Sequence, residues 1–217
     1  MNRSLPSWIH SREITLAVLG SIFLLSAVVV GMAPTERTLG DGIRVVYVHV
    51  ALIWTGMLGL ALGGILGLVL LLSARQETAR WLAPLGRIAF GFYLASSLVS
   101  LVAQQVNWGG ISWNEPRTGA MLQLLAVALI VQILSGWVQD GRIQGGLHAF
   151  LGLFLLWSWR TTPLQLHPEN PVGTSTSATI PLVFYGLFAL SAVAATWLTL
   201  HLRAVKQARS GALELPG

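Results

Sequence analysis

The stretch Arg44-Val-Val-Tyr47-Val-His49-Val-Ala-Leu-Ile-Trp54 opens an apolar run that continues to Leu72. About 20 apolar residues suffice to cross a bilayer as a helix, so this run predicts a membrane span with one imidazole about a turn and a half inside its mouth. An ionisable side chain at that depth costs roughly 2.5 kcal/mol or more when it meets hydrocarbon, so His49 must face protein, water or a bound group. A histidine so placed is also a ready metal ligand.

Five further runs have similar character, near Ile14–Met32, Trp81–Ala103, Ala120–Val138, Gly145–Trp159 and Ile180–Leu202. The whole chain reads as one all-α, polytopic transmembrane bundle of about six spans, a single domain over residues 1–217. Composition agrees: 54% of the residues are hydrophobic, 10% are charged and the mean hydropathy is +0.69. The fifth run is the shortest and most polar at its edges, which puts Gly145 and His148 at its water-facing end. The first is longer than a signal-peptide core of about 7–15 residues and is read as a retained helix.

Charge orients the bundle. Arg3, Arg12, Arg75, Arg80, Arg142, Arg203, Lys206 and Arg209 fall on one side of it, with only Arg37, Arg44, Arg117 and Arg160 on the other. The excess predicts both termini in the cytoplasm of a cell-membrane protein. The basic residues are scattered between spans and form no stripe for nucleic acid, despite a net charge of +5. Membrane lipid is the partner that composition demands.

Two outer connections, about 104–119 and 160–179, stand out on the face where the His49 helix begins. The first reads Gln104-Gln-Val-Asn107-Trp108-Gly109-Gly110-Ile111-Ser112-Trp113-Asn114-Glu115-Pro116-Arg117-Thr118; the second holds Arg160 and Leu166-His167-Pro168-Glu169-Asn170-Pro171. Indoles, glycines and charges in one loop suit a flat apolar ligand with charged edges. His49 and His167 offer two imidazoles from opposite sides, as a bis-histidine haem requires. Arg44, Arg117 and Arg160 have the planar fork that matches its propionates. Tryptophans at span ends, Trp8, Trp81, Trp137 and Trp197, read as interfacial anchors.

The chain contains no cysteine, which excludes disulfides, thiolate sites and covalent haem attachment within it. It has no Gly-x-Ser-x-Gly, no phosphate-binding Gly-rich loop ending in Lys-Ser/Thr and no His-Glu-x-x-His. No enzymatic role is therefore expected.

Arg44-x-x-Tyr47-x-His49, Ala83-Pro84-Leu85-Gly86, the tryptophan-bearing loop and Leu166-His167 together resemble the haem-handling membrane proteins of cytochrome c maturation, of CcmC and CcsA type. The likeness covers most of the chain. It implies that His49 and His167 are the axial ligands of a transient, non-covalent haem b. Trp108, Gly109, Trp113 and Glu115 occupy positions of the family's loop, which here is degenerate: Ile111 and Ser112 stand where the family has tryptophans, and Glu115 where it has Asp. The implied function is haem binding and presentation on the outer face. The implied partners are a haem chaperone, an ABC-type transporter or a cytochrome c synthesis partner.

Two other readings remain at this point. A membrane cytochrome b-like electron carrier needs paired histidines at matched depth, for which His148 and His201 are the candidates; a haem-free diverged structural subunit needs none. Snorkelling or helix-end hydrogen bonding accounts for His148 and His201 without a cofactor.

Overall fold

A computed structural model describes residues 5–163 and 176–213. A 3-10 turn at Ser7–His10 leads into six helices: α1 (Arg12–Met32), α2 (Ile43–Ser73), α3 (Gln76–Trp108), α4 (Pro116–Trp137), α5 (Gly141–Thr161) and α6 (Thr179–Leu213). The chain is all-α among these residues, and five helices are long and apolar enough to cross a membrane. The exception is α5, whose glycines, histidine and glutamine dilute its apolar character.

Local chemistry sets the helix ends. Ser11 accepts a bond from the Ile14 N–H to begin α1, and Asp140 accepts from the Arg142 and Ile143 N–H groups to begin α5. Pro116 opens α4, where its missing N–H costs nothing. Ala74 and Gly109 close α2 and α3 in the left-handed region, at φ 50° and 72°; the second of these is the conformation glycine adopts most readily.

The helices run alternately up and down, and α2 is the hub, packing on α3, α5, α6 and α1. Its apolar face is cut by Gly56, Gly59, Gly63, Gly64 and Gly67, small residues at the spacing that lets helix backbones meet in a membrane. A β-carbon on Gly64 would stand 2.8 Å from the Cα of Gly152, and one on Gly67 only 2.6 Å from the Gly145 carbonyl oxygen. Gly145 and His148 are thus buried against α2, not at a water-facing edge. The reason is that α5 begins at Gly141 and turns its small residues toward the glycines of α2.

Near the start of α2, Tyr47, Ala51, Phe184 and Leu187 form an α2–α6 cluster, while Leu60, Tyr93, Ala128 and Leu151 build a second among α2, α3, α4 and α5. Helix α1 contributes little burial and presents Phe23, Leu24 and Met32 outward, as a lipid-facing helix does. At the far end, the Arg203 guanidinium lies 3.6 Å over the Trp81 ring and pairs with Glu77, tying α6 to the start of α3. Trp197 stacks on Trp8 at 5.7 Å, so two of the expected interfacial anchors also hold the amino-terminal turn in place.

The α1–α2 turn is closed by Glu36, whose carboxylate accepts from the N–H groups of Thr38 (2.8 Å) and Leu39 (2.9 Å). The Leu39 and then the Thr38 backbone bonds hold its pKa below the ordinary 4.5. Because folding lowers this pKa, the charged form supports the turn fully above about 4.5 and loses that support as pH falls through the lowered value. A carbon-13 titration of the Glu36 carboxyl is expected to give a midpoint under 4.5; a midpoint at or above it contradicts the turn geometry.

Candidate functional site

His49 is the seventh residue of α2 and turns toward α3, not toward lipid. Its Nδ1 lies 3.1 Å from the Ser96 carbonyl oxygen and 3.2 Å from the Ser96 hydroxyl. A carbonyl only accepts, so Nδ1 carries a proton and donates to it. Ser96 is fully buried, and its hydroxyl donates in turn to the His49 carbonyl at 3.3 Å. This is the arrangement by which proteins orient a ligating imidazole and raise its basicity.

Most of the other residues singled out in the sequence lie at the start of α2 or α4, at the end of α3 or α5, or in the connection between α3 and α4. Helix α3 continues through Trp108 and α4 begins at Pro116, so the first outer connection is the short segment Gly109–Glu115. Trp108 closes α3 and Trp113 lies in the connection; the two residues are 53% and 65% exposed. Gly109 makes the left-handed turn between them. Arg117 is half-buried in the first turn of α4 and Arg160 is exposed in the last turn of α5. Arg44 reaches Asp41 at 3.3 Å, one turn earlier on the same surface.

Two residues behave differently. Glu115 is only 2% exposed, turned into the bundle beneath Pro116, while its backbone carbonyl accepts the first bonds of α4 from Thr118 and Gly119. Trp54 packs edge-on against Tyr185 and Phe188 of α6 and serves the α2–α6 interface. His167, with residues 164–175 around it, lies outside the described residues.

Sequence reading missed the residues that hold this end together. Gln104 is buried, accepting from the Ser112 N–H at 3.0 Å and donating to the Thr118 hydroxyl at 3.3 Å, so one amide clamps the tryptophan loop to both flanking helices. Asn107 donates to the Gly42 carbonyl at 3.3 Å, joining α3 to the α1–α2 turn. A β-carbon on Gly42 would fall 2.1 Å from the Asn107 Oδ1, so a larger residue here would push the Asn107 amide aside. The signal lay in the polar side chains of an otherwise apolar helix end, each needing a partner.

The other two helix-borne histidines share the Nδ1 device but not a site. His148 binds the Gln144 carbonyl at 3.1 Å and lies among α2, α3, α4 and α5. His201 binds the Ile9 carbonyl at 2.8 Å and the Thr15 hydroxyl at 3.0 Å, where α6 meets α1. Snorkelling does not describe His148, which is 3% exposed because the small residues of α2 and α3 leave room for its ring. Among the described residues, no group of three or more His, Cys, Asp or Glu is placed to hold a metal ion.

Protein-family models and curated proteins were compared with the chain. None matches.

Proposed function

We propose that this protein binds haem b reversibly at the end of the bundle where α2 begins and presents it there for cytochrome c maturation. The observation that carries the reading is the His49 ring, whose Nδ1 is held by the Ser96 carbonyl and hydroxyl; in this reading Nε2 is the nitrogen that meets iron. Further support comes from the solvent-exposed Trp108 and Trp113 and from Arg44, Arg117 and Arg160 on the same end, together with the sequence resemblance to CcmC and CcsA-type proteins. These donors fit the group: one nitrogen for iron, flat apolar rings for the macrocycle and guanidinium forks for the carboxylates.

In this reading α5 also crosses the membrane, as the fifth of six spans, and both termini face the cytoplasm, since Arg12, Arg75, Arg80, Arg142 and Arg203 gather at the opposite end. The protein is an integral cytoplasmic-membrane protein with its site toward the periplasm or cell exterior. His167 completes the axial pair from the second loop. The bound haem supplies no reaction here; it is the cargo. Ser96 orients His49, the arginines hold the propionates, and the exposed rim leaves an edge for a receiving protein. The partners are a haem chaperone, an ABC-type transporter or a cytochrome c synthesis partner.

A cytochrome b-like carrier is less well supported, because His148 packs among α2, α3, α4 and α5 while His201 bonds the Ile9 carbonyl and the Thr15 hydroxyl where α6 meets α1. Haem-loaded protein mixed with excess apomyoglobin separates the two roles. A presenting protein empties into the acceptor within the experiment; haem retained indefinitely overturns presentation.

A further inference from the structure

An open-sided groove of about 340 Å³ lies where α2 ends and α5 begins, at the end of the bundle opposite His49. Its walls are Leu71 of α2 and, from α5, Arg142, Ile143, Gly146, Leu147 and Phe150. The α5 residues recur at steps of one and four positions and so form one face of that helix. Gly146 gives the groove its depth, because a β-carbon there would meet only the Leu71 Cδ1, at 4.0 Å. Gly145 beside it is different: its β-carbon would strike the Gly67 carbonyl oxygen at 2.6 Å, so one glycine joins the helices and the next leaves a hollow.

The groove is apolar along its length and charged at one end. Phe150 stacks on Phe154 at 6.1 Å and Phe154 on Trp157 at 5.4 Å, which carries the apolar track on along α5. From Arg142 to Trp157 the helix rises about 22 Å, more than the ~15 Å of hydrocarbon in one leaflet. Arg142 is the charged residue of the lining, and it makes no ion pair among the described residues; at this end Arg80 and Arg203 both pair with Glu77. The Asp140 carboxylate, two residues back, is taken by the N–H groups of Arg142 and Ile143. Trp137, exposed at the close of α4 just before this turn, marks the headgroup level.

We propose that this groove binds one anionic phospholipid, with its phosphate on the Arg142 guanidinium and an acyl chain along Gly146, Leu147 and Phe150. The guanidinium fork matches a phosphate, and a basic group between helices at the membrane surface selects anionic headgroups. A peptide would need partners for its backbone, which these apolar walls do not offer. Phosphatidylcholine brings the same chains but adds a headgroup cation, so the charge at Arg142 is where selection arises. The proposal rests on α5 lying in the bilayer beside α2 and stands whether or not haem binds at the His49 end.

Native mass spectrometry of the protein released from micelles holding equal phosphatidylglycerol and phosphatidylcholine, with matched chains, tests this. The parent is expected to retain one phosphatidylglycerol in preference to phosphatidylcholine by about fivefold, the scale of one basic side chain at an anionic membrane surface. Arg142→Gln is expected to abolish the preference, while Arg37→Gln, the same charge change in the α1–α2 turn at the other end, preserves it. Gly146→Leu fills the hollow without touching the Gly145 and Gly152 contacts and is expected to lower phosphatidylglycerol retention severalfold. Equal retention of the two lipids by the parent, a preference that survives Arg142→Gln, or retention unchanged by Gly146→Leu would each overturn the proposal. If Gly146→Leu does not fold, the exposed Arg142→Gln against Arg37→Gln decides alone.

Discussion

Gly64→Leu is expected to loosen the bundle by on the order of 3 kcal/mol, the upper part of the range for overpacking a close contact. The cause is reciprocal: a β-carbon at Gly64 meets the Gly152 Cα at 2.8 Å, and one at Gly152 meets the Gly64 Cα at 2.9 Å. Backbone forms both sides, so no side chain can swing away and the helices must separate. In a bilayer this removes the van der Waals contact that drives small-residue helix pairs together, with no hydrophobic gain elsewhere. Gly20→Leu is the control, since nothing lies within 4 Å of a β-carbon there and a helical glycine replaced on a lipid face improves helix propensity. Unfolding in mixed detergent reads the difference. Equal midpoints for the two variants contradict the α2–α5 contact.

The second large effect belongs to His49. Replacing it by alanine removes the nitrogen proposed for iron and is expected to weaken haem binding on the order of 100-fold or more, beyond the 10–100-fold typical of losing an outer hydrogen-bond partner. Ser96→Ala is the graded companion. It deletes the hydroxyl 3.2 Å from Nδ1 but keeps the carbonyl at 3.1 Å, so it should weaken binding by roughly 10-fold while the fold survives. Titration of haem into protein in nanodiscs measures both. A His49→Ala protein that binds as the parent does removes His49 from the site.

Much of this architecture is legible in the sequence because hydropathy marks lipid-length helices: each of the six runs coincides with a helix, and five of these are long and apolar enough to cross a membrane. Helix ends are less legible. Helix α3 begins at Gln76 and runs on to Trp108, because polar residues remain helical wherever caps and partners allow, and hydropathy is blind to them. Depth within the bundle is harder still. His148 reads as an interfacial residue until the glycines of α2 and α3 are seen to open a space for it. The spacing Gly59-x-x-x-Gly63-x-x-x-Gly67 carries that information, but only when matched with Gly145 and Gly152 across the pair.

At the candidate site, sequence brought together Arg44, His49, Trp108, Gly109, Trp113, Arg117 and Arg160 at one end, and the structure keeps them there. Glu115 departs from that set, since its side chain is buried. Ser96 and Gln104 were invisible because their roles depend on long-range contacts: Ser96 meets a residue 47 positions away, and Gln104 acts on a loop whose path only the fold defines.

The absorption spectrum of the purified protein supplied with haem, oxidised and reduced, set beside that of a His49→Ala/His167→Ala variant, tests the central proposal most directly. A bis-histidine haem spectrum in the parent that disappears in the variant is the predicted result. A parent that takes up no haem, or a variant whose spectrum equals the parent's, would contradict it.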